Sequence, residues 1–238
     1  MTLLSTRQLS KSFGGLQALR NVDFDLERGR IRALIGPNGA GKSTFVGAVC
    51  GRFRVTSGNV IFNGNDITRL PAHHRIGLGI AYSFQITSVF DRLTVHENVA
   101  LGVRRHLKAN QERVNKQVCA ALDKTGLRNR ADQLAGDLSY GHQRLLEIAM
   151  GLGQNPQLFI MDEPTQGLAE SEVDAFQDLL QTLCQETTIL LIEHNMKVVM
   201  DCADDITVLN FGEVLAEGPP AKIQKNEKVQ HAYFGTQT

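Results

Sequence analysis

The sequence predicts an α/β fold: a mostly parallel sheet covered by helices, an antiparallel β-rich N-terminal part, and an inserted helical segment. Three observations carry that prediction. Short apolar runs (IRALI, QLFIM, TILLI) recur along the chain, with helical spacing between the later two. The first run leads into a glycine-rich loop that opens a helix. The middle of the chain changes to helical periodicity and then back.

Each element can be justified in order. LLSTRQLSKSF and NVDFDL alternate partially, as half-buried strands do. IRALIG is a short buried strand ending at a glycine, and KSTFVGAV continues as a helix. GNVIFNGNDI is a strand flanked by Gly and Asn turn signals. From about Thr94 to Leu127 the spacing is helical, with Val114, Val118 and Leu122 four apart. After Asn155-Pro156, QLFIMDEP reads as a buried strand, SEVDAFQDLLQTLCQ as a helix and TTILLIEH as a second buried strand. ITVLNFGEVLAEG reads as a hairpin, and AKIQKNEKVQHAYFG as a short terminal helical region.

Composition narrows the function classes. The 238 residues are 42% hydrophobic and 21% charged, enough for one large domain or two closely joined ones. Lys+Arg and Asp+Glu both number 25, so the chain has no electrostatic footprint for nucleic acid and no basic membrane anchor. MTLLSTRQLSKSFGG lacks the apolar core of a signal peptide. The longest aliphatic runs fall far short of the roughly 20 residues that span a bilayer, so a membrane role would come through a partner. Cys50, Cys119, Cys184 and Cys202 are scattered and read as reduced thiols of a cytosolic protein.

The chemistry concentrates in GPNGAGKST, Gly36 to Thr44, which fits G-x-x-x-x-G-K-[ST]. Gly36, Gly39 and Gly41 permit a tight wrap around a polyphosphate by the loop that also holds Pro37, Asn38 and Ala40, and its amides lead into a helix N-terminus. Lys42 would reach the β- and γ-phosphates, Ser43 would hold Mg²⁺ and Thr44 would add a phosphate contact. A chance match somewhere in this chain runs at about one in a hundred. A dinucleotide fingerprint would need G-x-G-x-x-G, which the loop does not supply.

Asp162 and Glu163 end an apolar strand, where ligands gather in an open α/β sheet. Asp162 is placed to hold the water shell of Mg²⁺ and Glu163 to polarise an attacking water. An isolated Asp-Glu pair would be two solvated acids; beside a phosphate loop the catalytic reading wins. His194 follows another apolar strand and could touch a γ-phosphate or serve structure alone. Gln85, in AYSFQ, could touch Mg²⁺ or water, or cap a loop. LSYGHQRLLEIA, Leu138 to Ala149, is a serine-capped helix start with no ligand of its own in sight.

Taken together, these stretches resemble the ATP-binding subunit of ABC transporters, over almost the whole chain and in the family's order. GPNGAGKST matches the Walker A motif, Phe84-Gln85 the Q-loop, LSYGHQ the signature, LFIMDE the Walker B motif and Glu193-His194 the switch-histidine loop. The resemblance implies a single P-loop ATPase domain, 1–238, whose core (1–86 and 154–238) is interrupted by a helical subdomain (87–153). It implies Glu163 as general base, His194 on the γ-phosphate and Phe13 stacked on adenine. Gln85 would touch the metal and link the nucleotide to the membrane subunits, and ITSVFDRLTVHENV would form the groove for their coupling helix. Ser139, Tyr140, Gly141, His142 and Gln143 would contact the ATP of an opposite subunit, through the helix N-terminus that follows.

Tyr140 and His142 depart from the usual LSGGQ. Ala169 stands where the D-loop aspartate is expected, or Glu170 if the loop shifts by one. Within the family, GIAYSFQ, LTVHENV, TILLIEHNMKVVM and VQHAYFG look most like importers of branched-chain amino acids, with urea and short-amide importers close and a lipid or polysaccharide exporter as the nearest rival. The cofactors implied are ATP and Mg²⁺. The partners implied are a second ATPase subunit, identical or paralogous, two membrane permeases and, for an importer, a solute-binding protein, at the cytoplasmic face of the inner membrane. A soluble ATPase acting on ribosomes or DNA would carry tandem cassettes or basic arms, and a non-catalytic regulator would not need Lys42, Asp162, Glu163 and His194 together.

Overall fold

The computed structural model describes residues 1–83, 88–107 and 110–234. The N-terminal strands β1 (Thr2–Phe13) and β2 (Leu16–Glu27) form a long antiparallel hairpin. β3 (Ile31–Ile35) leads through the glycine loop to α1 (Lys42–Cys50). β4 (Ser57–Phe62) returns to pair with β1, and the two-residue β5 (Asn65–Asp66) completes an antiparallel sheet in the order β2-β1-β4-β5.

α2 (Ala72–Gly77) and β6 (Ile80–Ser83) follow. α2 was not expected from periodicity: six residues are too few to show it. Its Arg75 is buried and donates to the carbonyls of Ala48 and Val49 at the end of α1, and to those of Thr68 and Leu70. One guanidinium fork thus supplies donors to a helix C-terminus that has lost its own.

The predicted helical stretch is two helices, α3 (Val95–Leu107) and α4 (Gln111–Lys124). Thr94 and Glu97 exchange hydrogen bonds with each other's backbone amides and start α3 as a capping box. Asn110 accepts from the Arg113 amide and starts α4. α5 (Tyr140–Leu152), β7 (Leu158–Asp162), α6 (Glu170–Cys184) and β8 (Thr188–Ile192) alternate as expected, and a further short helix, α7 (Met196–Cys202), follows that the sequence reading did not include. β9 (Asp205–Asn210) and β10 (Glu213–Gly218) form the predicted hairpin, and α8 (Pro220–Gln224) and α9 (Glu227–Phe234) the terminal helices.

The central sheet runs β10-β9-β3-β8-β7-β6, parallel except for the edge strand β10. Period-two alternation assigns each inner strand residue to one face. Leu158, Ile160, Leu190 and Ile192 pack with Phe24, Phe45 and Phe62 under the N-terminal sheet and α1. Phe159, Met161, Ile189 and Leu191 pack with α6 and with the buried residues of α3, α4 and α5 in one continuous cluster. Both faces are covered, which is why these strands read as unbroken apolar runs.

Candidate functional site

The glycine loop sits where β3 ends in mid-sheet. Gly36 has φ 154°, and a Cβ there would lie 2.2 Å from the Leu209 carbonyl oxygen on β9. Gly41, at φ 104°, caps α1, and a Cβ there would lie 2.7 Å from the Ala18 oxygen. Only glycine fits either position, so the loop is clamped between β2 and the β9–β10 hairpin. The Gly212 amide fixes it further by donating to the Ala40 oxygen at 3.0 Å. Lys42 is buried and donates to the Gly36 and Pro37 oxygens at 2.6 and 3.2 Å. Burial pulls its ammonium below the usual lysine range, against the opposing charges of Glu163 and Asp162.

Those carboxylates come from the next strand but one. Asp162 ends β7, and its Oδ2 accepts from the Tyr82 hydroxyl of β6 at 2.7 Å. Burial raises its carboxyl above the ordinary range; the Tyr82 bond and the Lys42 and Arg52 cations pull it back, while Glu163 pushes it up. Glu163 follows with φ 49°, the left-handed region that a long side chain occupies only when its surroundings hold it there. Its amide donates to the Ile192 oxygen of β8 at 2.8 Å. Its Oε1 pairs with His194 Nε2. Asn38 to Thr44, Asp162, Glu163 and His194 line one cleft of about 460 Å³.

A buried carboxylate organises the loops around this cleft. Glu193 is 3% exposed. One of its oxygens accepts from the Thr165 amide at 2.9 Å and the Thr165 hydroxyl at 2.5 Å; the other accepts from the His194 and Asn195 amides at 2.8 and 3.0 Å. The loop after β7 and the loop after β8 are therefore tied to one side chain.

The donor set suits Mg²⁺. Ser43 offers a hydroxyl and Asp162 a carboxylate, both hard oxygen ligands. Among the described residues no three His, Cys, Asp or Glu gather as a metal cage. Such a site would leave most coordination positions to phosphate oxygens and water, as Mg²⁺ prefers.

Other expected site residues are not among those that line this cleft. Phe13 is half-exposed and packs edge-on to Phe53, ring centroids 5.3 Å apart, with the Lys11 ammonium 4.6 Å from its ring centre. The cleft wall beside the loop includes Leu16, Gln17, Ala18 and the exposed Phe211. Gln85 lies outside the described residues.

Ser139 caps α5, with its Oγ 2.6 Å from His142 Nδ1. Tyr140 is half-exposed against Gly167, and Gln143 donates to the Ala135 oxygen. A Cβ on Gly141 would lie 2.2 Å from a Glu172 carboxylate oxygen, so a larger residue at 141 would displace that side chain where the first turns of α5 and α6 meet. Gly141 and His142 line a pocket of about 330 Å³ with Leu168 and Phe176, apart from the glycine-loop cleft. Ala169 is the N-cap of α6; it has no side-chain acceptor, and Glu172 accepts from its amide at 2.9 Å.

Sequence reasoning missed Tyr82, Arg144 and Glu147, and gave Glu193 no role of its own. The signal for Arg144 and Glu147 was present: two opposite charges three apart inside an apolar-periodic helix. Tyr82 offers no such signal, because a tyrosine in a strand is ordinary.

Comparison with known proteins places this geometry. The ABC transporter family profile matches residues 19–166, and a profile described as branched-chain amino acid ATP-binding cassette transporter matches residues 213–237. The chain is 36% identical to the high-affinity branched-chain amino acid transport ATP-binding protein BraF of Pseudomonas aeruginosa, over 98% of both chains. It is 31% identical to the lipopolysaccharide export system ATP-binding protein LptB of Haemophilus influenzae, over 100% of this chain and 99% of that one. Among solved structures, a nucleotide-free ATP-binding cassette from an ABC transporter superposes with a TM-score of 0.89 at 29% identity, covering 98% of this chain and 99% of that one. A dimeric bacterial ABC transporter cassette superposes with a TM-score of 0.82 at 25% identity, covering 92% and 99%.

Proposed function

The chain belongs to the ABC transporter family as an ATP-binding, ATP-hydrolysing subunit, and from that premise we propose that its turnover drives the import of branched-chain amino acids. The observation that carries the choice of solute is the match of residues 213–237, the β10–α9 region, to the branched-chain cassette profile. The 36% identity to BraF supports it. The likeness to LptB keeps lipid export as the competing outcome.

In this reading the reaction is phosphoryl transfer from ATP to water, giving ADP and phosphate. The N–H groups of the Gly36–Thr44 loop, all but that of Pro37, which has none, and the Lys42 ammonium hold the β- and γ-phosphates. Ser43 and Asp162 would hold Mg²⁺, which when bound would neutralise developing phosphate charge. Glu163 takes the proton of the attacking water, and His194, paired to its Oε1, holds that carboxylate in place and reaches the γ-phosphate. Ser139 and Gly141 present the N-terminus of α5 to the ATP of a second subunit, whose presence completes the site. Neither residue lines the chain's own cleft, which supports that arrangement. Residues 87–153 serve as the helical subdomain.

No described helix is long and apolar enough to cross a membrane. Transport then depends on two permease subunits that dock on the stretch ITSVFDRLTVHENV after Gln85 at the cytoplasmic face, and on a solute-binding protein. The test is reconstitution of the chain with its permeases in vesicles, with uptake of labelled leucine, urea and lipid followed in parallel. ATP-dependent leucine uptake that disappears in Glu163→Gln is the expected result. Urea uptake or lipid extraction in its place overturns the assignment of solute; unchanged ATPase activity in Glu163→Gln overturns the base.

A further inference from the structure

Helix α5 carries a charged pair deep in the protein. The side chains of Arg144 and Glu147 are 2% and 5% exposed, and Arg144 Nη1 lies 2.5 Å from Glu147 Oε2. Each also grips backbone. Arg144 Nη2 donates to the carbonyls of Asp162 and Glu163 at 2.8 and 3.0 Å, and its Nε donates to that of Pro164 at 3.2 Å. Glu147 Oε1 accepts from the Ser88 amide at 2.6 Å. Burial raises the Glu147 carboxyl, while the Ser88 amide and Arg144 pull it back.

Stability alone is a poor account of this pair. Two desolvated charges cost about as much as their attraction returns, and apolar residues of similar volume often do as well or better. The geometry accounts for it differently. The backbone held by Arg144 is the one that turns left-handed at Glu163 (φ 49°). Its amide is fixed by Ile192 on one side and its carbonyl by Arg144 on the other. The direction of the Glu163 carboxylate follows from that clamp.

We propose that Arg144 and Glu147 are positioning residues for hydrolysis. They lock the Asp162–Pro164 backbone so that Glu163 faces the cleft, and they anchor the lock to Ser88, the first described residue of the stretch assigned to permease docking. This rests on Glu163 being the base. A displacement of the Ser88 amide reaches the Glu163 carbonyl through two side chains and no intervening loop.

The decisive variant replaces both charges with apolar residues, Arg144→Met with Glu147→Leu. The fold tolerates such a swap far better than the loss of one partner, which leaves a buried charge uncompensated. Steady-state ATPase kinetics of the full-length chain, ATP binding and thermal melting are measured together. The expected result is a folded protein with KM for ATP within about twofold of wild type and kcat lowered at least about tenfold, equivalent to about 1.4 kcal/mol of barrier. Arg144→Lys, a point charge in place of a fork, recovers part of that loss. A double variant that melts like wild type and keeps its kcat overturns the proposal. If the double variant does not fold, Glu147→Gln decides by the same kcat-against-KM split: an unchanged kcat overturns it. Failure of the underlying base assignment shows separately, as undiminished turnover in Glu163→Gln.

Discussion

Glu193 offers the sharpest test of how the loops around the cleft are held. Its two buried oxygens accept four donors: the Thr165 amide and hydroxyl, and the amides of His194 and Asn195. Glu193→Gln changes almost nothing in volume but leaves one oxygen. In either orientation of the carboxamide, two donors keep an acceptor and two face an NH₂ group. A hydrogen bond to a charged group is worth about 1.5–3 kcal/mol, so two lost bonds amount to about 3–6 kcal/mol. For a domain of this size each kcal/mol moves the melting temperature by about 2–4 °C, giving a fall of about 6–24 °C. Thermal unfolding followed by circular dichroism reads this directly. Thr165→Val, which removes one donor and keeps the shape, should fall by less. A shift below about 2 °C in Glu193→Gln would refute the reasoning, because water or relaxation would then be satisfying the orphaned amides.

Other outcomes follow from the same bookkeeping of buried groups. Burial raises Asp162 above its ordinary value of 3.8, so its stabilising contribution is present below that value and is lost as pH rises through the raised one. Asp162→Asn should therefore gain in melting temperature relative to wild type as pH rises above 3.8; a difference that shrinks with rising pH would contradict the dominance of burial. Arg75→Met strips donors from four carbonyls and should cost on the order of 4 kcal/mol in urea unfolding, with Arg75→Lys recovering only part; full recovery would mean that the planar fork is irrelevant. Burial pushes the Cys50 and Cys202 thiols up to about 12 and about 11, so a thiol reagent at pH 8 should leave both untouched in the folded protein, and rapid labelling of either, read by mass spectrometry, would count against their burial.

What was legible beforehand follows from period and spacing. Leu158 to Met161 and Ile189 to Ile192 announced themselves because the inner positions of a strand covered on both faces are apolar. The glycine loop was legible because Gly36 and Gly41 sit where a Cβ would strike backbone. Arg144 and Glu147 were hidden inside that success: the apolar period of α5 was read, and its charges were assigned no partner, because Asp162 and Ser88 are remote in sequence. Phe13 was assigned by likeness alone, and the neighbours that hold it, Phe53 and Lys11, could not be deduced from local pattern. The break between α3 and α4 was readable in principle from Asn110 as an N-cap, but the apolar spacing ran past it.

The apolar cluster that joins α3, α4 and α5 to one face of the central sheet has a thermodynamic corollary. A subdomain with its own sealed core can melt alone or be released by a protease; this one has none to retain. Excising residues 87–153 would expose Phe159, Met161 and Leu191 on the sheet as well as the helices' inner faces, and neither piece could hide that surface. The chain should unfold in one calorimetric transition, and its helical part can shift only by sliding along the sheet while remaining wetted by the same oil.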